Sequence, residues 1–165
     1  MADLHVTWEE YRRTIELLAV SVRDSEWRFD QIVCIARGGM RVGDVLSRIF
    51  KLPLAIISTH SYEAGAGTVR GKIAVAKHIT MTGARMGERV LLVDDLVDSG
   101  VTLDVVKRHL AAEYPDIREI RTAVLWVKAC SSSRPDYCVH TLSDSPWIHQ
   151  PFEPYDVMKP SELRV

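Results

Sequence analysis

A parallel β-sheet flanked by helices, an α/β fold of one domain over residues 1–165, is predicted by three observations. Apolar strand-like runs alternate along the chain with stretches of helical periodicity. Val90 to Val93 is apolar without a polar interruption, the habit of a strand buried on both faces of a parallel sheet. Two of the strand-like runs empty into glycine-containing turns that lead into helical stretches, the connection at which such sheets build their sites. With 165 residues, 47% of them hydrophobic, the chain can bury a sizeable core as one domain.

The elements follow in order. Thr7 with Glu10 forms a capping box, and Trp8, Tyr11, Ile15, Leu18 and Val22 then recur at helical spacing, so an opening helix should lie on the sheet. Gln31 to Ala36 reads as a strand, Val42 to Phe50 as a helix and Leu54 to Ser58 as a strand. After Val90 to Val93, the spacing of Leu103, Val106 and Leu110 predicts a helix. Ile120 to Val127 and Tyr137 to His140 complete the strands. Between Thr59 and Gly87 the pattern breaks into glycines and basic residues, with Ile73, Val75, Lys77 and Ile79 alternating like one arm of a hairpin. A flexible lid over about 59–87 is predicted, since long loops of low apolar content usually cover a site or remain disordered. Its Gly65-x-Gly67 pair is no dinucleotide loop, because no buried strand leads into it and no helix follows at the right distance. Prolines and aromatics from Ser143 to Glu153 predict a short C-terminal hood, about 142–165, over the strand ends.

Composition narrows the function. A net charge of -1 and a pI near 6.6, with basic residues scattered in pairs such as Arg12-Arg13, give no footprint for nucleic acid, and none is expected as a partner. Met1 to Glu10 carries acids and no apolar core, so no signal peptide is expected, and no stretch approaches a membrane span. A cytoplasmic protein without integral membrane association is the expectation. Cys34, Cys130 and Cys138 form neither a CxxC pair nor a disulfide framework, and Cys34 should pack as a small hydrophobe. The six histidines show no HxxxH or HExxH spacing and no GxSxG elbow exists, which removes support for zinc or serine hydrolases.

The run from Val90 to Thr102 carries the chemistry. Gly100 permits a tight turn, and the Ser99 and Thr102 hydroxyls can donate to phosphate oxygens at the start of a helix, where N–H groups and the dipole favour an anion. Asp94 and Asp95 repel phosphate, yet carboxylates accept hydrogen bonds and can take both hydroxyls of a ribose diol. They can also lie near a Mg²⁺ ion that keeps most of its waters. Asp98, one turn on, faces another part of such a ligand and is the candidate for moving a proton. The alternative is structural, with Asp94 and Asp95 ending a strand while Asp98, Ser99 and Thr102 compete to cap a helix. A second anion site is predicted at Arg37-Gly38-Gly39, where backbone N–H groups and a guanidinium follow another apolar strand. In the hood, Trp147 can stack on a flat heteroaromatic ring while neighbouring backbone, as at Ile148, reads its edge; equally, it can pin the tail to the core.

The run Val90 to Thr102 resembles the phosphoribosyl-diphosphate signature of the type I phosphoribosyltransferases: an apolar strand, two acids, two apolar residues, a third acid and a small-residue phosphate loop. Arg37-Gly38-Gly39 is similar to that family's Ser-Arg-Gly-Gly pyrophosphate loop, with Ala36 in place of the serine. Trp147-Ile148-His149-Gln150-Pro151 resembles the Trp-Ile-x-Gln-Pro stretch of bacterial xanthine-guanine phosphoribosyltransferases, although His149 stands where relatives often have an acid and Phe152 where they often have Trp.

The resemblance, running from Val6 to Phe152, implies a purine phosphoribosyltransferase that moves the 5-phosphoribosyl group from phosphoribosyl diphosphate to a 6-oxopurine (xanthine, guanine or hypoxanthine) with Mg²⁺. It implies that Arg37, Gly38, Gly39 and the run Asp94, Asp95, Leu96, Val97, Asp98, Ser99, Gly100, Val101 and Thr102 hold the donor. Asp95 would meet Mg²⁺, directly or through water. Asp98 would act in catalysis at the purine N7 proton, and Lys128 would donate to an exocyclic oxygen, completing a base site with Trp147 and Ile148. Lys77, with Arg70 and Lys72 nearby, would be a lid cation on pyrophosphate, and lid closure would exclude water. A non-proline cis peptide is expected at or next to Ala36-Arg37. A homodimer or homotetramer is expected, as in relatives. Two alternatives remain: an acceptor of another class, such as a pyrimidine, which Trp147 and Lys128 disfavour, and a regulator of the same fold that senses the donor and binds nucleic acid.

Overall fold

Alternation of side chains along each strand sends the residues of this sheet to two separate helical layers, and the computed structural model, which describes residues 3–61 and 73–163, shows both. Its elements are β1 (Leu4–His5), α1 (Trp8–Asp24), β2 (Gln31–Ala36), α2 (Gly39–Phe50), β3 (Leu54–Ser61), β4 (Ile73–Val75), β5 (Thr80–Met81), β6 (Arg89–Val93), β7 (Leu96–Val97), α3 (Val101–Glu113), β8 (Glu119–Val127), β9 (Tyr137–Thr141), β10 (Ile148–His149) and α4 (Pro154–Val157), then a 3-10 turn at Pro160–Glu162.

The central strands run in the order β3, β2, β6, β8, β9, and every neighbouring pair is parallel. Ile32, Cys34, Leu91 and Val93 face α1 and α2, while Val33, Ile35, Val90 and Leu92 face α3. Period-2 alternation with both sets buried is the signature of a central parallel strand. Fully buried Leu18 and Val22 on α1, Val42 and Leu46 on α2, and Val106 and Leu110 on α3 close the two layers. Each of these side chains contributes about 1.5–3 kcal/mol through removal from water.

The capping box opens α1 as expected: the Thr7 side chain accepts from the Glu10 N–H, and the Glu10 carboxylate accepts from the Thr7 N–H at 2.8 Å. Trp8, however, is half exposed, because at the first helical position it lies on the rim, edge-on to Tyr11. Helix α2 starts at Gly39, three residues before the expected Val42, since the turn after β2 already has helical geometry at Gly38. Strand β3 continues past Ser58 to Ser61, where β4 pairs with it antiparallel, and β5 pairs with it antiparallel nearer its start. The sheet is therefore parallel at its centre and mixed at this edge. The expected hairpin arm is real over Ile73–Val75. Gly65, Gly67, Arg70 and Lys72 lie outside the described residues.

Among the described residues, the tail contains no core helix. Instead β10 pairs in parallel with β1, Leu4 opposite Ile148 and His5 opposite His149, so the hood is knitted to the beginning of the chain. The Leu4 N–H donates to the Trp147 carbonyl at 2.9 Å and the Val6 N–H to the His149 carbonyl at 3.0 Å. Among the described residues, no helix is long and apolar enough to cross a membrane.

Candidate active site

Strand β6 does not run straight into α3. At Asp94-Asp95 the chain sidesteps along β8: Leu125 and Trp126 both donate backbone N–H groups to the Asp95 carbonyl, and β7 then pairs Leu96 with Trp126 and Val97 with Val127. This detour holds three acids in a fixed order at the carboxyl ends of the central strands. A cavity of about 280 Å³ opens there, lined by the run from Asp94 to Gly100 with Thr102, and by Ala36, Gly38 and Thr59 from the neighbouring strand ends.

Gly100 is the N-cap of α3 and adopts φ +90°, a conformation in which other residues are strained. A Cβ there would sit 2.4 Å from that of Ser133. The serines of the loop after β8 brace this turn from behind: Ser132 donates through both its N–H and its hydroxyl to the Ser99 carbonyl, and Ser133 Oγ reaches Asp104 at 3.0 Å. A glycine N-cap has no side chain to occupy the first-turn N–H groups, which leaves the α3 N-terminus suited to an anion. Ser99 Oγ lies 3.4 Å from the Val101 N–H.

The second loop stands opposite. The Ala36–Arg37 peptide is cis, as expected. Gly38 faces Asp95 so closely that a Cβ would meet its carboxylate oxygen at 2.5 Å. Arg37 is largely exposed, with one nitrogen 3.3 Å from Asp156 Oδ1 on α4. Gly39 begins α2 beside the Val93 carbonyl.

Asp94 and Asp95 are neighbouring carboxylates in a half-buried floor. Asp95 Oδ1 accepts from the Leu96 N–H at 2.8 Å and Asp94 Oδ1 from the Asp95 N–H at 2.9 Å. Burial, followed by the charge of Asp95, holds Asp94 well above the usual carboxylate range, and burial also raises Asp95. Asp98 is exposed and meets Lys128, whose Nζ lies 3.5 Å from Asp98 Oδ1 and 5.7 Å from the centre of the Trp147 ring. The Lys128 side chain is only 9% exposed, so a buried ammonium has two visible partners, an acid and a π face. Trp147 itself is 60% exposed and therefore does not pin the tail to the core. Ile148 is buried in β10 beside it.

Asp98 lines the cavity and meets Lys128, which in turn meets Trp147, whereas Arg37, turned toward Arg41, Phe152 and Asp156, and Lys77, exposed between β4 and β5, do not line the cavity. Several neighbours escaped sequence reasoning. Cys130 places its thiol 3.4 Å from Asp98 Oδ1, Gln150 Nε2 lies 3.5 Å from Asp95 Oδ2, and the Arg41 guanidinium stacks 4.0 Å above the Phe152 ring. The two departures in the hood have local explanations. Phe152 packs edge-on to Tyr11, and His149 stacks on His5 with its nitrogens 3.2 Å from Asp3 and Glu153.

A glycine-capped helix, a second glycine loop and a diacid at the ends of parallel strands define an α/β protein of the class that builds its site at the carboxyl edge of the sheet. The chain belongs to the phosphoribosyl transferase domain family, which matches residues 7–156. The xanthine-guanine phosphoribosyltransferase of Gluconobacter oxydans is 30% identical over 160 residues, covering 96% of this chain and 89% of that protein. Its counterpart in Roseobacter denitrificans is 29% identical over 159 residues, 90% of this chain and 84% of that one. Among solved structures, the purine phosphoribosyltransferase of Pyrococcus horikoshii superposes with a TM-score of 0.76 at 31% identity, over 96% of this chain and 99% of the other. The xanthine-guanine-hypoxanthine phosphoribosyltransferase of Helicobacter pylori gives 0.72 at 25% identity, over 88% and 90%.

Proposed function

We propose that this phosphoribosyltransferase joins a 6-oxopurine (xanthine, guanine or hypoxanthine) to C1 of phosphoribosyl diphosphate and releases pyrophosphate. The observation that carries the reading is the meeting of Lys128, Asp98 and Trp147 at the end of the phosphate loop: a cation, an acid and an exposed aromatic face within reach of one flat ring. Lys128 donates to the purine exocyclic oxygen, the Ile148 backbone reads the ring edge and Trp147 stacks on its face. A purine with a carbonyl at that edge accepts from an ammonium.

The two glycine loops and the diacid support a placement for the rest of the donor. Ser99, Gly100, Val101 and Thr102 hold the 5-phosphate on the α3 N-terminus, and Arg37, Gly38 and Gly39 hold the diphosphate. Leu96 and Val97 carry the chain between the two ends along β8. Asp94 and Asp95 accept the ribose hydroxyls. These acids also fit Mg²⁺: two adjacent, half-buried carboxylates raised by burial, Asp94 also by the charge of Asp95, would be relieved by a cation, and Mg²⁺ is usually held by one or two carboxylates together with substrate phosphates. Asp95, with Asp94 beside it, would hold Mg²⁺, which would supply charge neutralisation for a diphosphate.

In the transfer, the bond from C1 to the diphosphate oxygen breaks with its electron pair leaving on pyrophosphate, and the ring nitrogen of the base forms the new bond. Asp98 takes the purine N7 proton or holds it in a hydrogen bond. Positioning the base against an oxocarbenium-like ribose is the main task of the protein groups. Lys77 and the lid over 59–87 act in covering the donor, under a hood at 142–165; the protein works in the cytoplasm as a homodimer or homotetramer. The test mixes protein, Mg²⁺ and phosphoribosyl diphosphate with guanine, xanthine, hypoxanthine, adenine, uracil and orotate separately, and reads pyrophosphate release. Turnover with 6-oxopurines is expected; turnover only with uracil or orotate, or silence with donor binding intact, overturns the reading.

A further inference from the structure

Among the described residues, the buried Tyr11 Oη and Gln150 Oε1 have no hydrogen-bond partner. Gln150 lies beside the acid pair. Gln150 follows β10 in the hood and is only 4% exposed, a rare depth for a glutamine. Its Nε2 lies 3.5 Å from Asp95 Oδ2. Tyr11, on α1, packs its ring against Phe152 at 5.6 Å and Trp126 at 6.0 Å. Burial holds its phenol above the ordinary range, and the charges of Asp95 and Asp94 add to that effect.

The amide orientation has a physical cause. A carboxylate repels a carbonyl oxygen, so Gln150 must turn its NH₂ toward Asp95, and its own oxygen is then left in a buried site. A side chain kept only for packing would be better served by an apolar residue of similar volume, because that would bury no orphan acceptor. The Asp95 carboxylate is instead fixed on three sides: the Leu96 N–H on one oxygen, the Gln150 amide on the other and Gly38 pressed against it without a Cβ. The segment that brings Trp147 and Ile148 to the base therefore also brings Gln150 to the acid of the donor site.

We propose that Gln150 is a positioning residue, which locks the Asp95 carboxylate from the hood so that the base end and the ribose end of the site are set by one segment. The inference rests on the reading of Asp95 as a donor-binding acid. Loss of one hydrogen bond to a charged group predicts a weakening of about 10-fold to 100-fold.

The experiment compares wild type with Gln150→Met, which keeps length and removes the donor, and Gln150→Glu, which keeps shape and adds a like charge. Binding of phosphoribosyl diphosphate with Mg²⁺ is measured by calorimetry, and KM for donor, KM for base and kcat by pyrophosphate release. Gln150→Met should weaken donor binding at least tenfold, move kcat and the base KM far less, and melt at or above the wild-type temperature. Gln150→Glu should weaken the donor further. Donor binding within twofold of wild type in Gln150→Met overturns the proposal alone. A collapse of the melting temperature in both variants assigns the amide to folding and overturns it as well. Failure of the wild type to bind donor instead removes the underlying reading, and the proposal with it.

Discussion

Substitution of Gly100 by alanine tests the phosphate turn at its most constrained point. Two costs add. At φ +90° a Cβ meets its own backbone, and the left-handed conformation costs roughly 1–2 kcal/mol for a residue other than glycine. The new methyl would also stand 2.4 Å from the Ser133 Cβ and 2.8 Å from the Ser133 nitrogen, in a loop held by the bonds from Ser132 to the Ser99 carbonyl. Overpacking of this kind typically costs about 1–3 kcal/mol. The sum, about 2–5 kcal/mol, lowers Tm by roughly 4–20 °C, since each kcal/mol moves a protein of this size by about 2–4 °C. Thermal unfolding followed by circular dichroism measures the shift, and calorimetry with phosphoribosyl diphosphate measures whether the turn still binds. Ser133→Gly added to the same chain removes the nearer contact and should recover part of the loss, leaving the cost of φ and the 2.8 Å approach to the residue 133 nitrogen. A Gly100→Ala protein that melts within about 2 °C of wild type and binds donor unchanged would refute both terms.

Other expectations follow from the same geometry. Asp98→Ala should lower turnover by about 10²- to 10⁴-fold, the usual effect of losing a well-placed acid or base, while donor affinity by calorimetry stays close to wild type. Asp94→Asn should raise Tm at pH 7 and abolish donor binding: the amide oxygen keeps the bond from the Asp95 N–H, while a buried charge beside Asp95 is removed. The sign is fixed by the raised native pKa. The folded protein holds the Asp94 proton to a higher pH than the unfolded chain, so wild-type stability falls as pH rises between the ordinary value of 3.8 and the raised one. The advantage of Asp94→Asn should accordingly shrink in melts taken toward pH 4. Alkylation at pH 8 followed by mass spectrometry should label Cys130 first, because it is exposed, whereas burial pushes the Cys34 thiol up to about 12 and also raises Cys138. Rapid native labelling of Cys34 would contradict the packing of β2.

What could be read from the sequence was local. The capping box at Thr7, the limits of Gln31–Ala36 and the acid run after β6 depend on residues within a few positions of one another, and each stands as expected. Positions governed by distant partners were invisible. Gln150 gains its meaning from a carboxylate 55 residues away, and Ser132 from a carbonyl 33 residues away. Trp8 obeyed helical spacing, yet spacing does not tell which end of a stripe reaches the rim. The early start of α2 has the same origin, since glycines carry no helical periodicity and only the turn against β6 makes Gly39 helical. Short edge strands such as β5 and β10, two residues each, have too few side chains to show a period at all.

The pairing of β1 with β10 also orders events in time. During synthesis the chain emerges from its amino end, so β2 and β6 with both phosphate-type loops leave the ribosome before residues 148 and 149 do. Leu4 and His5 must wait for a partner more than 140 positions later. A released chain that ends after β9 would lack both the seat for the ring and the Gln150 amide beside Asp95, so base binding should be lost and donor binding weakened with it.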